Sequence, residues 1–168
     1  MSACVSSAVS SSPTLKNEWN FYFHYCDEEK WTFDSYIHIH KLTNVEQSIL
    51  LFDNFPLEIL KRGMVFIMKN KITPLWEDKM NVSGGCLSYR IPFKIMNSAW
   101  RQIYYSLIMN KMTSNKEMDK DINGISISPK KNFFIVKIWL KSCTFDSPDN
   151  IYPIEGLLPT HCIFKKHC

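Results

Sequence analysis

The alternation of apolar and polar side chains gives the first outline of the chain. From Thr32 to His40, Phe33, Ser35, Ile37 and Ile39 alternate with Asp34, Tyr36, His38 and His40. A period of two predicts a strand with two distinct faces. The large side chains of Asn20 to His24 predict its partner, and the charged run Asp27-Glu28-Glu29-Lys30 predicts the turn between them. The two runs form a hairpin whose loop carries Trp31 at its far end. Val45, Ile49, Leu51, Phe52 and Phe55 then change the period and predict a helix over 44–55, capped by Thr43 or Asn44 and broken by Pro56. Met64 to Met68 and Leu87 to Ile91 read as short apolar strands. The loop between them, residues 70–85, ends in the flexible pair Gly84-Gly85.

Ile95, Ala99, Ile103, Leu107 and Ile108 predict a second helix over 94–112, followed by a polar loop over 113–120. Ile122 to Ile127 and Phe133 to Leu140 are two strands joined by Ser128-Pro129-Lys130-Lys131-Asn132. A helical turn within 148–157 and an edge strand over 162–165 complete the pattern. Strands joined by hairpins, with interspersed helices, imply an α+β fold in one domain. Its sheet is largely antiparallel, its helices cover one face, and the other face is free to bind.

At 168 residues and 45 % apolar content, the chain suits one domain with a real core. The Ser- and Ala-rich segment 1–12 reads as a short flexible arm, leaving 13–168 as the domain. No run of about 18 apolar residues predicts a membrane span. A net charge of +4 permits a nucleic-acid partner without the basic stripe of a duplex binder. The six cysteines follow no disulfide or zinc spacing, which fits reduced thiols in the cytoplasm. His161-Cys162 and His167-Cys168 lack the Cys-x-x-Cys pairs of structural zinc, and His38 and His40 lack a third ligand, so no metal or cofactor is expected. There is no P-loop, dinucleotide fingerprint, nucleophile motif or Glu-rich helix, which argues against an enzyme.

The candidate chemistry lies in the tryptophans. Trp76 is followed at once by Glu77 in the run Pro74-Leu75-Trp76-Glu77-Asp78. An indole can stack on a guanine while the carboxylate accepts from the N1–H and N2–H₂ edge. A second indole on the other side favours a base with positive charge, such as 7-methylguanine, because a cation is drawn to an aromatic face. Each tryptophan taken singly also reads as core. The turn at Lys130 and Lys131 reads equally as a solvated turn or as a phosphate contact.

The stretch from Ile72 to Lys79, then Gly84-Gly85, with Trp19, Trp31, Trp100 and Trp139 in order around it, resembles the eukaryotic translation initiation factor 4E family of mRNA cap-binding proteins. The resemblance runs from about Leu15 to Trp139 and fades afterwards. It implies a curved antiparallel sheet with helices on its convex back and a cap slot on the concave side. By position, Trp31 and Trp76 would sandwich the methylated base, Glu77 would bond its edge, and Trp139 would lie against the N7-methyl group. Trp19 and Trp100 would be structural. Lys130 stands at a basic phosphate-binding position. The family's arginine after the double glycine is Cys86 here, and a further lysine is Ile135, so Lys131 and Lys137 join Lys130 as the expected phosphate contacts.

On the convex side the family docks the Tyr-x-x-x-x-Leu helix of an initiation factor 4G scaffold or of a repressor. Val45 and Glu46 match that surface, Ile49 replaces its tryptophan, Arg101 replaces an apolar contact, and Tyr104 and Tyr105 remain aromatic. The expected function is therefore binding of capped mRNA by a cytoplasmic monomer that recruits messages for translation. The alternatives are a cap-binding competitor without the usual scaffold, or an interaction module that has lost cap binding.

Overall fold

A twelve-residue strand, β1 (Thr14–Tyr25), opens the fold in the computed structural model, which describes residues 12–167. It pairs antiparallel with β2 (Ile37–Asn44) on one side and with β3 (Gly63–Lys69) on the other. β4 (Gly85–Pro92), β5 (Ile122–Pro129), β6 (Phe133–Leu140) and β7 (Cys162–Lys166) extend the sheet to the order β2-β1-β3-β5-β6-β4-β7. Every pairing is antiparallel. Register shifts in β1 and β5 mark bulges, which bend strands and curve the sheet. Of the expected 1–12 arm, residues 1–11 lie outside the described residues. Ser12 is placed, and its hydroxyl oxygen accepts from the Glu46 N–H at 3.2 Å.

The expected hairpin is present, but its second strand starts late. Phe33–Ser35 form a turn of 3-10 helix, and extended pairing begins at Ile37. Ser35 explains this, because its N–H bonds the Thr32 carbonyl and its hydroxyl bonds the carbonyls of Lys30 and Thr32. Such local bonds compete with a strand ladder.

Helix α1 (Val45–Asn54) starts at Asn44, whose side chain accepts from the Gln47 N–H. Helix α2 (Met96–Ile108) buries Met96, Ala99, Trp100, Ile103, Tyr104, Leu107 and Ile108, the three-and-four spacing of a single apolar face. That face meets Trp19, Phe21, Ile67, Leu87, Tyr89 and Val136 of the sheet in the main core. Trp19 and Trp100 both lie in this core, at the structural places expected for them.

A short helix, α3 (Lys116–Asp121), occupies the segment expected to be loop. Asn115 caps it through Glu117 and Met118, and Met118 alone anchors it in the core. One buried residue in six leaves no periodicity to read. Between 148 and 157 only a 3-10 turn, Pro148–Asn150, forms. No helix among the described residues is long and apolar enough to cross a membrane.

Candidate functional site

The helix-free face of the sheet has its own smaller apolar cluster, in which Tyr22, Tyr36, Phe66 and Trp139 pack with Met68, Ile72 and Cys86. Two loops rise beside it. The β1–β2 connection carries Trp31, and residues 70–84 between β3 and β4 carry Trp76 and Glu77. A cavity of about 450 Å³ lies between them and the sheet. Its exposed lining is Trp31, Trp76 and Glu77, and its buried lining includes Phe66, Ser126 and Trp139. Tyr36, Met64, Pro74, Leu75 and Lys137 complete it. The fold thus brings together five of the expected base- and phosphate-contacting residues: Trp31, Trp76, Glu77, Trp139 and Lys137. Lys130 and Lys131 stand exposed on the β5–β6 turn, outside that lining.

The Trp76 loop is set by a polar network. The Asp78 carboxylate accepts from the N–H and hydroxyl of Thr73 at 2.9 and 2.7 Å, and from the Met80 N–H at 2.8 Å. Partial burial raises the pKa of Asp78, but these donors and nearby Lys79 outweigh it and hold the group below its usual range. The amide of Asn81 donates to the carbonyls of Thr73 and Leu75, and Asn123 of β5 donates to the Met80 carbonyl and the Asn81 side chain. Trp76 and Glu77 are therefore presented on a braced loop. The Gly84-Gly85 pair that ends it is buried rather than flexible. A Cβ on Gly84 would lie 1.8 Å from the Leu140 carbonyl oxygen, so the absent side chain permits close packing on β6.

Trp139 is fixed from below. Its Nε1–H donates to the Ser126 hydroxyl at 2.9 Å, and its ring meets Phe66 edge-on with centroids 6.2 Å apart. Tyr36, in the same lining, has its phenol pKa pushed up to about 12 by burial and then by the neighbouring Glu77 charge. It is a neutral hydroxyl at physiological pH.

Cys86 and Trp139 are direct cross-strand partners. Cys86 is buried, and burial pushes its thiol up to about 12 against the opposing influence of Lys137. His167 closes over it, with its ring 5.0 Å from that of Trp139. Beyond the cavity, strands β4, β5, β6 and β7 contain no Asp or Glu. Arg90, Lys137 and Lys165 emerge on the Trp139 face, because their cross-strand partners Ile135, Ser88 and Cys86 share it. The Arg90 guanidinium covers the Phe133 ring at 3.8 Å.

On the helical side, Ile49 and Glu46 are exposed and Val45 is half-buried. Arg101 holds its guanidinium 5.3 Å from the Phe52 ring centre, and Tyr105 packs on the same ring at 5.0 Å. Tyr104 corrects the expectation of a presented aromatic. It is fully buried and donates its hydroxyl to the Ser48 carbonyl at 2.8 Å, tying α2 to α1. Sequence reasoning also gave no role to Tyr36, Phe66, Ser126, Asp78 or Asn81. The alternation of Ser126 and Ser128 with Ile125 and Ile127 was the available signal that one face of β5 is polar.

A translation initiation factor 4E of Eremothecium gossypii is 26 % identical over 119 residues, covering 69 % of this chain and 55 % of that protein. The factor of Candida glabrata is 26 % identical over 112 residues, covering 64 % and 52 %. The chain spans about half the length of these curated relatives. Among solved structures, Ascaris suum eIF4E-3 with an m7G cap superposes with a TM-score of 0.70 at 18 % identity, over 80 % of this chain and 77 % of that one. Schistosome eIF4E complexed with m7GpppG and 4E-BP gives 0.72 at 19 %, over 80 % and 75 %. Both share the fold. The family profile described as eukaryotic initiation factor 4E matches residues 14–157, most of the sequence, and the chain belongs to that family.

Proposed function

We propose that this chain binds the 7-methylguanosine 5′ cap of mRNA and recruits messages in the cytoplasm for translation initiation. The observation that carries the reading is the single cavity shared by Trp31, Trp76, Glu77 and Trp139. The methylated base stacks between Trp31 and Trp76. Its N7-methyl group faces Trp139, and its Watson–Crick edge donates to the Glu77 carboxylate. Methylation puts positive charge on the base, and that charge is worth about 2 kcal/mol or more against a desolvated indole. Hydrogen bonds to the carboxylate add roughly 1.5–3 kcal/mol. The reading involves binding only, with no bond made or broken.

The charge distribution supports the same orientation. Carboxylates gather at the two loops, with Asp27, Glu28, Glu29 and Asp34 around Trp31, and Glu77 and Asp78 beside Trp76. The acid-free strands carry Lys137 and its neighbours. A cationic base at the loops with its phosphates over the strands matches both halves. Lys137 takes the phosphates nearest the base, and Lys130 and Lys131 lie farther out on their turn.

The 4E-BP bound to schistosome eIF4E supports a protein partner, which the resemblance puts on the helical side. Here that partner would be a scaffold or repressor carrying Tyr-x-x-x-x-Leu, meeting Ile49 and Arg101 where the family has apolar anchors. Retention on a 7-methyl-GTP resin, competed by 7-methyl-GTP and not by GTP, tests the cap reading. Equal competition by both nucleotides removes it. Where the resin retains the chain but a Tyr-x-x-x-x-Leu peptide does not, the chain is a cap competitor rather than a recruiter.

A further inference from the structure

Trp31 is 52 % exposed, on a connection free of regular structure save one 3-10 turn. An indole so placed has no reason to keep one plane unless something behind it does. Behind it lies His24, the penultimate residue of β1 and fully buried. The two rings are parallel to within 9°, with centroids 4.3 Å apart. One face of the indole is covered by the imidazole, and the exposed remainder borders the cavity that Trp31 shares with Trp76.

The imidazole is itself held at both ends. Nδ1 lies 2.9 Å from the Tyr25 carbonyl oxygen, and Nε2 lies 2.8 Å from the Lys30 carbonyl oxygen and 3.1 Å from the Ser35 hydroxyl. Tyr25 ends β1 and Lys30 immediately precedes Trp31, so the ring spans the loop that the tryptophan closes. A second edge of the same imidazole meets Tyr36 at 4.8 Å. Tyr36 meets Phe66 at 5.3 Å, and Phe66 meets Trp139 at 6.2 Å. An unbroken chain of rings therefore runs from the loop indole across the cavity floor to the buried one, and His24 is its link to the loop.

We infer that His24 is the positioning residue for Trp31: it sets the plane of the outer indole before any ligand arrives. This rests on the cap-binding reading for its consequence, though not for its geometry. A side chain fixed in advance is spared the ordering cost that a mobile one carries on binding. One wall of the slot is thus built onto β1.

The test compares His24→Ala with His24→Phe. Phenylalanine keeps a flat ring behind Trp31. It orphans neither carbonyl, since Tyr25 still accepts from the Glu28 N–H and Lys30 from the Ser35 hydroxyl. Fluorine NMR of 5-fluorotryptophan-labelled protein, with the Trp31 resonance identified by Trp31→Phe, reads the ligand-free indole. The His24→Ala resonance moves toward the solvent-exposed position, while His24→Phe stays near the wild type. Titration with 7-methyl-GTP then gives an affinity about 3- to 10-fold weaker for His24→Ala, recovered in His24→Phe. An unchanged Trp31 resonance in His24→Ala, or a folded His24→Phe no better than His24→Ala, overturns the inference. Failure of the cap reading shows separately, as a wild type that binds GTP and 7-methyl-GTP alike.

Discussion

The thiol sulfur of Cys86 lies 2.9 Å from Nε2 of His167. The other ring nitrogen, Nδ1, lies 2.7 Å from the Asn81 carbonyl oxygen, which can only accept. The imidazole proton therefore sits on Nδ1, and bare Nε2 accepts from the thiol. The last described residue of the chain is latched across β4 to the braced Trp76 loop. Burial, with a smaller contribution from Lys137, holds His167 below its ordinary value of 6.5, against the Asn81 bond that favours its charged form.

That shift fixes the sign of a pH effect. As pH falls below about 6.5, the unfolded chain takes up the His167 proton before the folded one does, so stability declines. It is fully present above the unfolded value and lost as pH falls through the folded one. Melting temperature should drop between about pH 7 and pH 5, and His167→Gln should flatten that slope. Circular dichroism melts across this range check it. Equal slopes in the two proteins would remove His167 from the account.

Glu77→Gln separates charge from shape. Glu77 is exposed and no salt bridge among the described residues involves it, so thermal unfolding should not move. The amide offers one acceptor oxygen and one NH2 donor, so it cannot meet two base donors with separate oxygens as the carboxylate can, and affinity for 7-methyl-GTP should fall roughly 10- to 100-fold. Calorimetric titration decides. An unaltered affinity would mean that the base edge is read elsewhere.

Trp76 and Trp139 line one cavity but should fail in different ways. Trp76 is 54 % exposed, so Trp76→Ala should abolish resin retention and leave the melt intact. Trp139 is 7 % exposed and donates to Ser126, so Trp139→Ala should cost about 3–5 kcal/mol of stability as well as binding. Chemical denaturation run beside the resin assay distinguishes the two. A Trp76→Ala melt as low as that of Trp139→Ala would make Trp76 a core residue.

The places of the strands along the chain and both long helices were legible because period-two and period-3.6 patterns survive in 37–40, 44–55 and 95–108; the order of the strands in the sheet was not. What escaped was written in single polar side chains. Ser35 turns the start of a strand into a 3-10 turn, and Asn115 starts a helix with one core residue. Asp78 was visible as part of a motif, but its role as the staple of its own loop depends on Thr73 and Met80 being folded back onto it. Gly84-Gly85 read as flexible because local sequence cannot reveal a carbonyl of β6 pressed against it. Tyr104 was expected on the partner surface because the resemblance puts it there, whereas its hydroxyl points inward to Ser48.

The lysines divide along the same line between local and non-local information. Lys130, Lys131 and Lys137 are near neighbours in sequence, yet only Lys137 lines the cavity, half-buried beside Trp139 and with no carboxylate in ion-pair reach among the described residues. One ammonium meeting one phosphate contributes roughly 0.7–0.9 to the slope of log affinity against log salt. Lys137→Ala should lower the slope for 7-methyl-GTP by about that amount and weaken binding at low salt. It should leave the affinity for the nucleoside 7-methylguanosine unchanged, since that ligand has no phosphate. The double variant Lys130→Ala, Lys131→Ala should change 7-methyl-GTP binding by less than about 2-fold, the scale of exposed charges screened by solvent. Fluorescence titrations at several salt concentrations read all three. A larger loss in the turn variant than in Lys137→Ala would mean that the phosphates run toward the β5–β6 turn and not over β6.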